Sequence, residues 1–185
     1  MAADPARLAS WLDRQEILDC LTRFCRGIDR FDRSLFLSAF HLDAVIDAGD
    51  FVGEPEALYR WARDLHERGQ SATQHHLTNH RCEIEGDTAH AETYYLFVGR
   101  NRDGTNWLAG GRYVDRLERR EGSWRIALRC NAVEWSGDLP ATPLPFEGLS
   151  DLHRNGAPSR SRDDLSYRRP LENRRARRTP PASSD

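Results

Sequence analysis

The sequence predicts an α+β fold in which N-terminal helices pack on one face of a curved, mainly antiparallel sheet. In the first third of the chain, apolar residues recur at three- and four-residue steps, the period of a helix that buries one face. In the second half, four long stretches rich in Thr, Tyr, Phe and Val are separated by glycine-bearing turns, which is typical of an antiparallel meander. Helices that come first and strands that follow favour α+β over an alternating α/β arrangement.

Three helices are expected. The first carries its apolar stripe from Leu8 to Ile28, and we expect Asp13 to cap it, with Glu16 completing a capping box. The second covers about residues 33 to 40. The third begins at residues 54 to 56, because proline is favoured at the first helical position and acidic side chains in the first turn.

One short strand and four long strands are expected. The short strand covers residues 44 to 47, between the second and third helices. The long strands cover residues 73 to 85, 88 to 100, 107 to 119 and 124 to 135, and each is rich in residues that favour strands. The turns between them contain Gly86, Gly104 and Gly122.

The 185-residue chain contains 27 basic residues, and all of them are arginines. The absence of lysine excludes a Schiff base on the protein and a phosphate-binding P-loop, since both need that amine. A net charge of -2 favours neither nucleic acid nor a membrane as partner. No signal peptide or run of 18 apolar residues is found, so a cytoplasmic location is expected, with the four cysteines reduced and packed.

The charge distribution predicts a division of the chain. Residues 1 to 150 are expected to form the catalytic domain, and residues 151 to 185 a basic, proline-containing extension, partly disordered or docked on the domain. Tyr167 and Leu171 are candidates for anchoring it. The arginine-rich run at residues 174 to 178 is expected to be a solvated terminus, with binding to nucleic acid or an acidic surface as the alternative.

Several segments occur in an order that points to a family. They are Arg26-Gly27-Ile28-Asp29 at the end of the first helix, followed by residues 40 to 45, 73 to 79, 110 to 118 and 122 to 126. Together they resemble the SnoaL-like branch of the nuclear transport factor 2 superfamily, over about Ala9 to Trp135. The resemblance implies a cone-shaped α+β barrel.

Within that branch, the segments look most like the subgroup that contains scytalone dehydratase, hexachlorocyclohexane dehydrochlorinase and bile-acid 7α-dehydratase. These enzymes are lyases that use a His–Asp dyad and no cofactor. The resemblance places the catalytic histidine at His75, the aspartate at Asp29 and a third polar residue at Arg129. The sequence departs from the pattern at Phe24, where related enzymes often carry Tyr or Lys, so the phenylalanine cannot supply their proton.

The three residue types are sufficient for acid–base elimination. A neutral imidazole can remove a proton from carbon near neutral pH. A carboxylate on its other nitrogen holds the tautomer and stabilises the imidazolium that forms. A guanidinium stabilises a developing oxyanion or a leaving oxygen, so neither a metal nor a cofactor is required.

Each assignment has a structural alternative. The histidine could serve packing alone. Asp29 could be a turn residue, with Asp32 as the nearby competitor for the dyad. Arg129 could pair with a carboxylate such as Asp115 or Glu134.

Strand periodicity and the resemblance together predict a substrate pocket. Because alternate residues of a strand share a face, an inward His75 predicts an inward Asn79. The residues expected to bind substrate are Phe24, Phe51, Asn79, Tyr95, Phe97, Trp107, Tyr113 and Val133. An aromatic-rich cavity suits an apolar, ring-bearing molecule, although the same rings could simply fill the core.

The expected function is therefore a cofactor-independent lyase that expels water, formaldehyde or halide from an aromatic or steroid-like compound, as in aromatic compound catabolism. An isomerase or cyclase on the same cone is the first alternative, and a non-catalytic subunit or adaptor the second. The subgroup implies a homo-oligomer, with a trimer favoured over a dimer, and no nucleic acid or membrane as partner.

Overall fold

Three helices and six strands form the first of two compact units in the computed structural model, which describes residues 4 to 177 and divides between Ala141 and Thr142. The helices are α1 (Pro5–Asp29), α2 (Arg33–Leu37) and α3 (Pro55–Gly69). The strands are β1 (Phe40–Asp47), β2 (Val52–Gly53), β3 (Gln70–Glu85), β4 (Thr88–Asn101), β5 (Asn106–Arg120) and β6 (Ser123–Leu139).

The strands form one sheet in the order β2-β1-β6-β5-β4-β3, and the helices pack on it. All neighbouring pairs are antiparallel except β1 and β6, which run parallel. The predicted α+β class, with helices on a mainly antiparallel sheet, is confirmed. The sheet is open, with β2 and β3 at its edges, so the cone is not a closed barrel.

Helix α1 begins earlier than expected, and the predicted capping box is wrong. Asp4 is the N-cap, and its side chain accepts a hydrogen bond from a backbone N–H of the first turn. Asp13 and Glu16 lie inside the helix and bind the fully buried Trp124 instead. Asp13 Oδ1 accepts from the indole Nε1 at 2.9 Å, and Glu16 Oε1 accepts from the backbone N at 3.0 Å. These bonds fasten α1 to β6.

The chain passes closely from α1 to α2 at Gly27. A Cβ atom at this position would lie 2.5 Å from the backbone N of Phe36, so only glycine fits. Helix α2 then ends at Leu37, and β1 begins at Phe40, three residues after it and four earlier than predicted. The backbone of Phe40 is paired with Ile126 of β6, a long-range contact that local sequence does not reveal.

Strand β3 contains a bulge that changes which side chains face inwards. Its pairing with β4 shifts between Leu77 and His80. Thr73, His75 and Leu77 face inwards before the shift, whereas Cys82 does so after it, and Asn79 is exposed. The expectation that Asn79 shares the inward face of His75 is wrong, because one additional residue in a strand exchanges its two faces.

Between residues 142 and 177, the second unit contains turns and one short 3₁₀ helix, Leu165–Tyr167. The buried Asp164 caps this helix, and its carboxylate accepts hydrogen bonds from the backbone N–H groups of Ser159 and Ser166. Of the arginine-rich run, Arg178 lies outside the described residues. None of the helices within residues 4 to 177 is long and apolar enough to span a membrane.

Candidate active site

The end of α1 and the first half of β3 bring Asp29 and His75 into direct contact. His75 Nδ1 lies 2.7 Å from Asp29 Oδ1, and the backbone N–H of His75 donates to Asp29 Oδ2 at 2.9 Å. Both carboxylate oxygens therefore bind one residue, which fixes the ring in place. Since a carboxylate accepts a proton from Nδ1, the other ring nitrogen, Nε2, remains for a ligand.

Asp29 is buried, and burial by itself disfavours a charged carboxylate. The charge of His75 and its hydrogen bonds outweigh burial and hold the pKa of Asp29 below its ordinary value. The carboxylate is therefore ionised at neutral pH. Its competitor Asp32 has a different role, because it caps α2 and accepts a hydrogen bond from the backbone N–H of Leu35 at 3.2 Å.

Arg129 of β6 is fully buried and paired with Asp115 of β5. Its Nε and Nη2 each donate to one carboxylate oxygen at 2.7 Å. The guanidinium lies 4.2 Å from the ring centres of both Phe24 and Tyr113. Burial opposes the charge, but Asp115 raises the pKa of Arg129, so the cation is permanent. Within the described residues, its buried Nη1 has no hydrogen-bond partner.

His75 and Arg129 line a cavity of about 220 Å³ between the helices and the sheet. Six of the eight predicted substrate-binding residues line it: Phe24, Tyr95, Phe97, Trp107, Tyr113 and Val133. Asn79 does not, because of the bulge in β3. Phe51 also lies outside the lining. Its ring stacks on that of Trp61, with the ring centres 5.5 Å apart, and Trp61 in turn lines the cavity.

Two phenol groups lie next to each other in the cavity wall. The rings of Tyr95 and Tyr113 are stacked, with their centres 4.3 Å apart. Burial raises the pKa of each, and that of Tyr113 lies well above its ordinary value. Both therefore keep their protons at neutral pH and can donate hydrogen bonds.

Sequence reasoning missed two polar residues of the lining, Asn131 and His66. Asn131 lies two residues after Arg129 on β6, so strand periodicity could have found it. His66 follows Leu58 and Ala62 at four-residue steps on α3, so helical periodicity could have found it as well. The buried apolar face of α3 thus continues into a histidine.

The cysteines do not supply a second reactive centre in the cavity. Burial raises the pKa of Cys20 to about 11 and that of Cys25 to about 12, so both thiols stay protonated. Cys82 is also buried, whereas Cys130 is exposed, contrary to the packed position expected for it. Among residues 4 to 177, no group of three histidine, cysteine or acidic side chains is arranged to hold a metal ion.

Solved structures with the same fold include a hexachlorocyclohexane dehydrochlorinase of type 2, with a TM-score of 0.67 and 22% identity over 80% of this chain and 100% of that one. A type 3 dehydrochlorinase from Novosphingobium barchaimii has a TM-score of 0.66 and 21% identity, over 77% and 100%. A candidate scytalone dehydratase from Novosphingobium aromaticivorans has a TM-score of 0.64 and 16% identity, over 74% and 95%. Identities this low show a shared fold.

No curated protein matches the chain significantly. The sequence model of the SnoaL-like domain matches residues 9 to 130, which is more than half of the chain and includes Asp29, His75 and Arg129. The N-terminal helices packed on a mainly antiparallel sheet agree with that match. The chain therefore belongs to the SnoaL-like family.

Proposed function

We propose that this protein is a cofactor-independent lyase that eliminates water, or another small group such as halide or formaldehyde, from a hydrophobic ring-bearing molecule. One observation carries the proposal: the His75 imidazole is bound on its Nδ1 side by the ionised Asp29, and it lines an apolar cavity. This arrangement supplies a base for a C–H proton. The dehydrochlorinase and dehydratase names of the structural neighbours support elimination as the reaction class.

In the proposed reaction, His75 Nε2 takes a proton from carbon, and the electron pair of that C–H bond forms the new double bond. The leaving group departs from the adjacent carbon with the pair of its own bond. Asp29 stabilises the imidazolium that forms. Arg129 Nη1 donates a hydrogen bond to the substrate oxygen on which negative charge develops. This hydrogen bond is strong because the site excludes water.

The cavity supports a small substrate. An apolar cavity of roughly 150 Å³ accommodates benzene. A volume of about 220 Å³ therefore suits one ring with small substituents, and favours an aromatic compound over a four-ring steroid. The aromatic walls and the buried cation of Arg129 match a ring that carries one carbonyl or hydroxyl oxygen.

The proposal is tested by incubating the purified protein with hydroxylated and halogenated single-ring ketones. The masses of the products are then measured by mass spectrometry. An elimination product lacks the mass of water or hydrogen halide. His75→Ala and Asp29→Asn are each expected to abolish turnover while circular dichroism shows an unchanged fold. Full activity in both variants would contradict the dyad.

A second reaction class, isomerisation or cyclisation, uses the same base. It is favoured by Phe24, because a site without a proton donor at that position suits a reaction in which no leaving group needs protonation. The same mass measurement separates the two classes, since isomerisation leaves the mass of the substrate unchanged.

We also propose that the protein acts as a homo-oligomer, with a trimer favoured by the subgroup that the sequence resembles. Self-association is supported by exposed, large apolar side chains on the outer face of the sheet. These are Tyr94, Leu96, Val114 and Trp135. Exposed apolar residues that share one face are typical of an interaction surface.

A further inference from the structure

A second histidine, His66, lies in the cavity on the last turn of α3. Its ring centre is 6.1 Å from that of His75, and the two rings are nearly perpendicular. Both pack on Phe97, with ring-centre distances of 5.4 Å for His66 and 4.8 Å for His75. The two imidazoles are therefore close enough to reach neighbouring atoms of one bound molecule.

The two histidines differ in the partners that hold them. His66 Nδ1 lies 3.1 Å from Oε1 of Gln70, whose amide nitrogen donates to Asn101 at 3.3 Å. His75 is held by the carboxylate of Asp29. A negative charge stabilises a neighbouring imidazolium more than a neutral carbonyl does. The carboxylate of Asp29 thus suits His75 to the role of base, which leaves the opposite role, that of proton donor, to His66.

The proposed elimination of water lacks a proton donor for the leaving oxygen. Phe24 has no proton to give. Burial raises the pKa values of Tyr95 and Tyr113, which makes both phenols weak acids, and Arg129 keeps its protons. Besides His75, the cavity lining contains one more imidazole, that of His66, and imidazole is the side-chain type suited to acid–base catalysis at neutral pH.

We propose that His66 is the general acid of the elimination. The inference rests on the proposed lyase function. His75 Nε2 takes the proton from carbon, and the C–H electron pair becomes the double bond. The C–O bond breaks towards oxygen, and the oxygen takes the proton of the His66 imidazolium and leaves as water. His75 ends protonated and His66 neutral, so one proton has moved between them and the substrate has lost one water.

A pair of probes with different leaving groups tests this assignment. The first is the aldol adduct of benzaldehyde and acetone, a β-hydroxy ketone, and the second is the corresponding β-chloro ketone. Both give benzylideneacetone, which is followed by its absorbance. Chloride can leave as an anion, whereas the hydroxyl group needs a proton in order to leave as water. The variants are His66→Gln, His75→Gln and, as a matched control, His76→Gln, since His76 is exposed on β3.

We expect His66→Gln to lower kcat on the hydroxy probe by about 10²- to 10⁴-fold, the usual contribution of a general acid, with little change on the chloro probe. His75→Gln is expected to lose both reactions, and His76→Gln neither. If His66→Gln lowered kcat equally on both probes, or on neither, His66 would not be the general acid. The proposed lyase function would still stand. A wild-type protein that converts neither probe would contradict the lyase function itself. Thermal unfolding of each variant verifies that it is folded.

Discussion

Arg129 shows how one residue can serve both stability and the site. Its ion pair with Asp115 is fully buried, so removing one partner leaves an uncompensated charge in the core. The guanidinium also lines the cavity, between the rings of Phe24 and Tyr113. The pairing with Asp115 is therefore compatible with the predicted role of Arg129 in the site, because Asp115 occupies two of its nitrogens and leaves the third.

We expect Asp115→Leu to lower the free energy of unfolding by about 3–5 kcal/mol, the cost of a broken buried pair. The double variant Asp115→Leu with Arg129→Met should recover most of this stability, because two apolar side chains replace both charges. It should remain inactive. Urea unfolding and activity assays check both statements.

A matched control for this experiment is Glu134→Gln, because Glu134 binds an arginine on the partly exposed outer side of the sheet. It should leave stability nearly unchanged. If the double variant were as unstable as Asp115→Leu alone, the desolvation argument for this pair would be wrong.

Single residues of the site were predicted unevenly. Asp29, His75 and Arg129 follow from the resemblance, and the structure places His75 and Arg129 in the lining of one cavity, with Asp29 bound to His75. Their catalytic roles stay predictions. His66 was not predicted, because an apolar repeat does not single out a histidine, although His66 continues the four-residue repeat of α3.

At the scale of elements, the contact between α1 and α2 positions the dyad. Gly27 allows the two helices to approach, and Asp29 follows it by two residues at the end of α1. The predicted elements have the right type and order, because periodicity and turn chemistry are local properties. Their bounds were less accurate: β1 starts at Phe40 through its pairing with β6, which is a tertiary contact.

We expect Gly27→Ala to destabilise the protein by about 1–3 kcal/mol, the usual cost of overpacking. The added methyl group would collide with the backbone of Phe36, which cannot move as a flexible side chain does. Gly137→Ala is the control, since a Cβ atom there meets no atom within 4 Å. Comparable unfolding midpoints for the two variants would contradict this account of the helix contact.

At the scale of the whole molecule, the α+β class and the family could be predicted from the sequence, and both are confirmed. The opening between the edge strands could not, because closure depends on tertiary pairing of β2 and β3. Assembly also belongs to this scale. The outer face of the sheet carries the exposed apolar residues that support the proposed homo-oligomer.

Val114 is a suitable position for testing assembly, because it lies on that outer face and is 44% exposed. We expect Val114→Arg to shift the protein to monomers, since a charge buried at an interface between copies is costly. Size-exclusion chromatography with light scattering measures the mass in solution. A variant of unchanged mass would exclude this part of the sheet from the interface, and a monomeric wild-type protein would contradict the oligomer altogether.

The bulge in β3 has a consequence for the number of residues in that strand. His75 and Cys82 are separated by an odd number of positions, so a regular strand would direct them to opposite faces. The extra residue lets His75 reach the cavity while Cys82 packs in the core. The bulge and the spacing of the two residues therefore depend on each other: at this odd separation, a strand without the bulge would keep either the base or the core contact, but not both.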